Sequence, residues 1–297
     1  MAKVQRFVSN DLTIRAAAID ATDVVNEMQR LHNSYPVATS GVGKAMVGAL
    51  LLAAQLKDKQ QIGLLFRGNG PLKSIYAEAD FEGRVRAYTP NPQYQPESYE
   101  GGLNLSKALG NGTLSVARHT PFQKQPFNGV VEIVSGEIGD DIAHYLHQSH
   151  QIRSIVALGI YLDQHGKVIK AGGTIIEVMP GVEESVVELL QSNADLKKPS
   201  ISKILRDGGV PTDLVKPYLE GIPYTQLEHD YNVVYHCPCD EERVMAALQV
   251  LGEADLQDMI DKKERPEIIC QMCGKPYIFE VSDVIEIRDK MHRNSMH

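Results

Sequence analysis

All four cysteines of the chain lie in its last fifth, in two close pairs. The first pair, Cys237 and Cys239, has the form C-x-C, and the second, Cys270 and Cys273, has the form C-x-x-C. Folding can bring the two pairs together as four thiolates, and a closed tetrahedron of four cysteines is the usual structural site for Zn²⁺. The spacing therefore predicts one Zn²⁺ per chain, with these four cysteines as its ligands.

The residues beside the second pair favour a metal site. Gly274 follows Cys273 directly, and glycine can adopt a positive φ that turns backbone N–H groups toward the sulfurs. Four thiolates around Zn²⁺ leave a net charge of about −2. Lys275, and also Arg243, could offset this charge.

Other interpretations of the cysteines stay open on the residues alone. Four buried thiols can act simply as small apolar side chains. A C-x-x-C pair can also be a thioredoxin-like dithiol, but that motif opens a helix in a βαβ unit, whereas this pair lies between two strand-like runs, residues 267–269 and 277–281. The thirty residues between the pairs exceed the zinc-ribbon spacing of about 15–20. His236 is a candidate spare ligand.

The composition is that of an ordinary globular protein and argues against nucleic-acid and membrane partners. The 297 residues predict about two domains. With 30 basic and 38 acidic residues the formal charge is −8, which argues against a nucleic-acid partner because such proteins need a basic face. No apolar leader follows the N-terminus, and the longest apolar run, residues 45–54, is too short to span a bilayer. We therefore expect a cytoplasmic protein without membrane contact, whose cysteines stay reduced.

Residues 1–179 mix strands and helices and predict an α+β domain, a mixed sheet packed with helices. Strands do not alternate strictly with helices, which argues against a parallel βαβ sheet. Period-two alternation and turn signals predict strands at residues 12–19, 62–67, 72–78, 84–89, 113–119, 130–134, 152–162 and 168–178. Helical spacing predicts helices at residues 21–31, 40–56 and 140–150, with N-caps at Thr22 and at Asp140 or Asp141. Residues 90–102 are predicted to form a surface loop.

Residues 180–230 change character. Three short helical stretches, residues 183–191, 200–206 and 213–220, are separated by prolines and glycines. Helices shorter than about 12–15 residues are marginal alone, so this segment must depend on its neighbours. We expect a metastable helical linker, with a helical edge of ordinary stability as the open alternative.

Residues 231–297 are predicted to form a small zinc-binding module. It begins with a strand at residues 231–236. Three helices follow at residues 240–251, 254–263 and 283–292, and Asp240 and Ser282 are the predicted N-caps of the first and last.

Two further patterns in the chain have structural interpretations. Residues 40–45 resemble a phosphate-binding loop, but alanine occupies positions 38 and 45, where that motif needs glycine and Ser/Thr, so a packed glycine-rich helix is expected. His144, His147 and His150 recur every three residues on one predicted helix, and we interpret them as a polar solvated face. No set of nucleophile, base and acid emerges, so the chain is not predicted to be an enzyme.

Short motifs along the chain recur in one known family. They are Gly68-Asn69-Gly70-Pro71, residues 126–131, Ala171-Gly172-Gly173, His229-Asp230, residues 237–243, Leu251-Gly252, Cys270–Cys273, Tyr277 and Phe279. In these motifs the chain resembles the redox-regulated heat-shock chaperones of the 33 kDa chaperonin family. The resemblance covers essentially the full length, and the cysteine spacing is its most specific part. It departs at residues 148–151, where the family often has a Ser-Glu-Gln run.

The resemblance implies an ATP-independent holdase that binds unfolding client proteins. In that family the reduced, zinc-bound form is inactive, and oxidation forms disulfides, here Cys237 with Cys239 and Cys270 with Cys273. Zinc then leaves, the switch module and linker unfold, and the active form is a homodimer. From the motif alone, a purely structural zinc in a binding module or an enzyme stays open as the alternative.

Overall fold

The computed structural model describes residues 3–98, 102–121, 123, 125–197, 200–227, 231–248 and 250–295. The chain divides into two units, Met1–His236 and Cys237–His297. His229 and Asp230, which belong to the chaperonin resemblance, lie outside the described residues, as do residues 99–101 of the predicted surface loop.

The first unit contains two sheets with helices packed on them. Its strands are β1 (Lys3–Ser9), β2 (Ile14–Asp20), β3 (Gln61–Gly68), β4 (Ser74–Asp80), β5 (Arg84–Tyr88), β6 (Gly112–His119), β7 (Phe127–Glu132), β8 (Ser154–Leu162), β9 (Val168–Val178), β10 (Tyr224–Gln226), β11 (Tyr231–Asn232) and β12 (Val234–Tyr235). Its helices are α1 (Thr22–His32), α2 (Pro36–Ala53), α3 (Leu105–Leu109), α4 (Ile138–His150), α5 (Glu184–Lys197), α6 (Ile201–Arg206) and α7 (Pro211–Val215). The expected α+β class is confirmed.

The sheets are almost wholly antiparallel, as the predicted hairpins and meander require. The first sheet has the order β10-β1-β2-β9-β8, and β11 also pairs with β1. The second has the order β12-β5-β4-β3-β6-β7. Its β12–β5 pair is parallel, with Val234 opposite Arg84. The last segment of the first unit therefore returns to both sheets.

Helix α2 occupies the centre of the main core. Its residues are buried on nearly every side, and it contacts strands of both sheets. A methyl group on Gly43 would lie 2.6 Å from Ile160 Cδ1 of β8, and one on Gly48 would lie 2.5 Å from Ile142 Cδ1 of α4. The glycines therefore allow close packing, which confirms the interpretation of residues 40–45 as a packed helix. By length and composition α2 could cross a membrane, but it is buried as core helices are.

Helices α5, α6 and α7 cover the outer face of the first sheet. A second hydrophobic cluster joins them to side chains of β1, β2 and β9: Phe7, Ile14, Ala16, Ala18, Ile176, Leu190, Ile201, Leu205, Leu214, Val215, Tyr218, Leu219 and Ile222. We name this set the outer cluster. All three helices pack on a sheet as expected, but the first is longer than predicted: α5 spans 14 residues, Glu184–Lys197, and not only residues 183–191. The metastability of residues 180–230 stays a prediction.

The second unit is a small helical module with one hairpin. It contains α8 (Glu241–Leu248), α9 (Glu253–Asp261), β13 (Glu267–Ile269), β14 (Pro276–Ile278) and α10 (Val281–Ser295). Its core comprises Val244, Leu248, Leu256, Tyr277, Phe279, Val284 and Ile287. The sequence predicts that this module begins at residue 231, but β11 and β12 pair with strands of the first unit, and the division falls after His236.

Several predicted helix caps are wrong. Ala21 is the N-cap of α1, and the Thr22 hydroxyl donates instead to the Asp20 carboxylate. Glu137 is the N-cap of α4. Asp141, fully buried, instead accepts from the N–H groups of Val134, Ser135 and Gly136.

In the second unit one predicted cap is confirmed and one is wrong. The Asp240 carboxylate accepts from the Arg243 N–H, 2.7 Å away, at the start of α8. Ser282 lies inside α10, and the Asp283 carboxylate accepts from the Glu280 N–H at that helix start.

Candidate metal centre

The four cysteines are placed by two different local structures. Cys237 and Cys239 lie in the irregular segment just before α8. Cys270 and Cys273 lie in the turn between β13 and β14, where the Cys270 N–H donates to the Lys275 carbonyl and the Gly274 N–H donates to the Cys270 carbonyl. Gly274 has φ 69°, as expected from its position after the second pair. The hairpin therefore fixes the second pair and leaves the first to approach it.

The thiols converge on one point. All four Sγ atoms lie within 4.8 Å of one another. Cys237 Sγ is 3.7 Å from Cys270 Sγ, and Cys239 Sγ is 3.4 Å from Cys273 Sγ. A tetrahedral ion bound by four sulfurs at about 2.3 Å would separate them by about 3.8 Å. The arrangement therefore fits a four-coordinate thiophilic ion.

A hydrogen bond from the core of the second unit holds one of the sulfurs. The Tyr277 hydroxyl donates to Cys239 Sγ across 3.2 Å, and Lys275 Nζ lies 4.8 Å above the Tyr277 ring. Arg243 donates to the Pro238 carbonyl and also lies near Asp240. Both cations named as charge partners are thus close to the cysteine motifs.

The thiols differ in acidity. Burial acts to raise the pKa of Cys239, but hydrogen bonds from Tyr277 and from the neighbouring thiols lower it to about 7. Burial raises the pKa of Cys273 well above its usual range. The hydrogen bond to Cys239 raises the pKa of Tyr277. Cys239 is therefore a thiol of this cluster that reaches the thiolate form near neutral pH, the form that binds metals and reacts with oxidants.

The arrangement leaves several sulfur pairings geometrically open. All four cysteines are free thiols. The contacts of 3.7 Å and 3.4 Å each join one cysteine of the first pair with one of the second. The cluster can therefore bind an ion or, after oxidation, form disulfides, and the pairing within each motif stays a prediction.

The histidines do not join this centre. Among the described residues, the four cysteines form the one group of three or more His, Cys, Asp or Glu side chains close enough to share an ion. His236 is exposed, and its N–H donates to the Val85 carbonyl. His147 and His150 are exposed on α4 as expected, but His144 is half-buried, and His150 Nε2 lies 3.0 Å from the Tyr145 hydroxyl.

Sequence reasoning missed the contact between Tyr277 and Cys239. The signal was the position of Tyr277 four residues after the last cysteine, at the start of a strand-like run. Because β14 pairs with β13, Tyr277 faces the same end of the module as the thiols. The contact depends on the pairing register of β13 and β14, which could not be predicted from the sequence.

A family model described as Hsp33 protein, a class of heat-shock chaperones, matches residues 2–280 of this α+β chain and so includes its four-cysteine centre. The chain belongs to the Hsp33 family. It is 36% identical to the 33 kDa chaperonin of Bacillus subtilis over 97% of this chain and 98% of that protein. It is 37% identical to the 33 kDa chaperonin of Aquifex aeolicus, over 93% and 86% respectively.

A solved structure has the same fold. The crystal structure of the 33 kDa chaperonin, a heat shock protein 33 homologue from Thermotoga maritima, matches with a TM-score of 0.89 and 29% identity, over 98% of this chain and 99% of that one. Heat-shock chaperone function therefore follows from family membership, and the binding of unfolded client proteins follows from chaperone function. The relatives' names describe a chaperone rather than an enzyme.

Proposed function

We propose that the chain is a redox-regulated, ATP-independent holdase, switched off while the four cysteines hold Zn²⁺ and switched on when they are oxidised. The observation that carries this proposal is the convergence of all four Sγ atoms within 4.8 Å of one another. Thiolate sulfur is both a zinc ligand and the oxidisable form of cysteine. The same four atoms can therefore serve as metal ligands and as the oxidant sensor.

In the resting state Cys237, Cys239, Cys270 and Cys273 would hold the ion. Thiolates favour soft or borderline ions, and a closed set of four thiolates is typical of structural zinc. When bound, Zn²⁺ supplies folding free energy to the second unit. Tyr277 supports Cys239 by its hydrogen bond, and the hairpin turn fixes the second pair.

Oxidation would convert the ligands into disulfides. Within each motif, two thiolates would lose two electrons to one hydrogen peroxide, which takes up two protons from solvent and is reduced to two waters, and one S–S bond forms. We propose the pairs Cys237 with Cys239 and Cys270 with Cys273, as the family resemblance implies. Sulfurs bonded to each other no longer offer thiolates, so the chain loses its hold on the ion.

The second unit would unfold when this support is lost. Its hydrophobic core is small, and Cys239 and Cys270 pack directly against it. A core of this size contributes no more than about 3–5 kcal/mol, whereas structural zinc contributes about 10–16 kcal/mol in small peptides. The metal site therefore dominates the stability of the unit.

Unfolding would then extend to the helical linker, residues 180–230. Its helices have little independent stability, and they cover those side chains of the outer cluster that belong to the first sheet. Their release would expose Phe7, Ile14 and Ile176, an apolar face that could hold unfolding clients. We also propose that the active form is a homodimer and that the protein acts in the cytoplasm.

The test is to dilute a chemically unfolded client protein into buffer with this chaperone and to follow its aggregation by light scattering. The zinc-loaded reduced protein is compared with protein treated with peroxide at raised temperature, and zinc release is followed with a chromogenic chelator. We expect aggregation to be suppressed only after oxidation and in step with zinc release.

A matched control is the oxidised protein after re-reduction and zinc reloading, which should lose its holding activity again. Mass mapping of the oxidised protein after digestion identifies the disulfide pairs. Zinc that stays bound through oxidation, or leaves without a gain in holding activity, would show that the site is structural only.

A further inference from the structure

A cavity of about 800 Å³ lies in the first unit, at one end of the main core between the two sheets. Cavities of roughly 300–1,000 Å³ are the usual size of small-molecule sites. Apolar side chains from α2, β3, β6, α4 and the segments that follow α2 and α4 line much of it: Leu52, Leu56, Ile62, Val116, Leu146 and Ile152. The proposed redox switch does not use this cavity.

Arg118 places a cation among these apolar walls. Strand β6 directs Leu114 and Val116 into the core, and the period-two alternation directs Arg118 to the same face. Arg118 Nη2 donates to Gln60 Oε1 across 2.7 Å. Its Nε is buried and has no hydrogen-bond partner. A buried donor without a partner is costly, and a charged one more so.

The acidic side chain of the described cavity lining, Glu177, is paired with an arginine other than Arg118. Glu177 accepts two hydrogen bonds from Arg15, its cross-strand neighbour, at 2.8 Å and 2.9 Å. Among the residues that the structure describes, no carboxylate forms an ion pair with Arg118. Lys57, at the cavity edge, adds further positive charge. The described lining therefore carries more positive than negative charge, with Arg118 as its unneutralised interior group.

The remaining walls are preformed. The Tyr145 hydroxyl and His150 Nε2 are 3.0 Å apart, which fixes both rings. A methyl group on Gly129 would lie 2.7 Å from the Tyr145 ring, so the glycine allows that ring to pack against β7. Phe127, opposite Arg118 in the β6–β7 pair, is 61% exposed and supplies an apolar edge.

We propose that this cavity binds a small monocarboxylate with an apolar body. The carboxylate would accept from the Arg118 guanidinium, including its unpartnered Nε, and the hydrocarbon body would pack against Leu56, Ile62 and Val116. A single anionic group is proposed because Arg118 is the one cation of the described lining that is both shielded from solvent and without a carboxylate partner: Arg15 pairs with Glu177, and Lys57 is exposed. The proposal is independent of the redox switch, since all of these residues belong to the first unit.

The experiment uses octanoate as the probe, with the reduced, zinc-loaded full chain. Binding is measured by isothermal titration calorimetry and by the rise in Tm, because a ligand of the folded state stabilises it by mass action. We expect saturable binding of octanoate and a dose-dependent rise in Tm. Acetate, which lacks the apolar body, and 1-octanol, which lacks the carboxylate, should bind at least about tenfold more weakly, because a charged hydrogen bond and apolar burial each contribute that much.

Variants assign the binding to the cavity. Arg118→Met keeps an apolar side chain of similar length and should weaken octanoate binding at least about tenfold, whereas Arg118→Lys should retain part of it. Arg67→Met is the matched control, since it removes an exposed arginine from β3 of the same sheet. The Tm of each variant without probe shows that it is folded. Equal octanoate binding by Arg118→Met and Arg67→Met, equal binding of acetate and octanoate, or no saturable binding would each overturn the proposal.

Discussion

Tyr277 belongs both to the core of the second unit and to the cysteine centre. Its ring is buried with Phe279 and Val284, and its hydroxyl donates to Cys239 Sγ. A donor that orients a ligand atom tunes the affinity of a metal site even though it does not touch the ion. Single residues can therefore couple packing in this module to its chemistry.

Tyr277→Phe should weaken zinc binding by about tenfold while leaving the unit folded, because the ring is kept and only the hydrogen bond to Cys239 is lost. Competition with a chelator of known affinity measures the change. Tyr88→Phe, a substitution on β5 in the first unit, is the matched control and should leave the affinity unchanged. Equal affinities for the two variants would contradict the role assigned to the hydroxyl.

Asp140 has an unfavourable charge. The residue is exposed, but partial desolvation on the side that faces the protein raises its pKa, the neighbouring Glu137 and Asp141 carboxylates add to this, and Lys44 opposes it. Because the pKa is higher in the folded state, the ionised form destabilises the protein at neutral pH, and the penalty disappears as the pH falls and the group protonates. Asp140→Asn should raise the free energy of unfolding at pH 7 by less than about 1 kcal/mol.

Urea unfolding of the Asp140→Asn protein between pH 7 and pH 4 follows this difference, which should shrink on acidification. Asp213→Asn is the opposite control. The hydrogen bonds from Lys216 and from the Val210 N–H lower the pKa of Asp213, so its ionised form stabilises the fold above its unfolded pKa. That variant should be less stable at pH 7, and its deficit should fade toward low pH. A stability difference of the same sign in both variants would refute the charge assignment.

At the scale of elements, the helices of residues 180–230 are important because they cover the apolar side chains of β1, β2 and β9. Leu205 of α6 is fully buried in the outer cluster, whereas Leu196 of α5 is 81% exposed. Each lies on a helix that packs on the same face of the first sheet. Because one leucine is buried and the other exposed, the same Leu→Asp substitution at each position tests whether these helices block client binding.

Leu205→Asp should release the linker and give holding activity without oxidation, because a buried unpaired carboxylate costs several kcal/mol and α6 has little stability of its own. Leu196→Asp introduces the same charge on the surface and should leave the reduced protein inactive. Light scattering of an aggregating client measures activity, and limited proteolysis measures linker release. If the linker is released but the protein does not suppress aggregation, the outer cluster is not the surface that binds clients.

The meander β3–β5 and the hairpin β8–β9 were predictable, because alternation and turn residues mark them. Strand β1 was not predicted, because its few apolar side chains are divided between its two faces: Val4 faces the main core and Phe7 the outer cluster, so they show no period-two alternation. The four-cysteine centre was predictable since cysteine spacing is local, whereas the Tyr277 contact depends on strand register.

At the scale of the whole molecule, the two units depend on different sources of stability. The first has an extensive core that includes α2 and both sheets. The second has a small core beside four thiols. Loss of the metal should therefore affect the two units unequally.

Removal of zinc by a chelator under reducing conditions should abolish amide protection in α8, α9 and α10 while α2 stays protected, because the proposed zinc site would supply most of the folding free energy of the second unit alone. Hydrogen exchange followed by mass spectrometry measures both regions in one sample. The control is the zinc-loaded protein mixed with the same chelator already saturated with zinc. Unchanged protection of the second unit after zinc removal would contradict this expectation.

The chain leaves the first unit at a fixed point. Strand β12 pairs with β5, the His236 N–H donates to the Val85 carbonyl across 3.0 Å, and Cys237 is the next residue. An unfolded second unit would thus be a flexible chain attached at one end to β12, with no residues in between. Scaling of chain dimensions gives its segment a radius of gyration of about 24 Å, compared with about 10 Å when folded. The two-residue strand β12 would therefore be the anchor that sets the reach of the released tail.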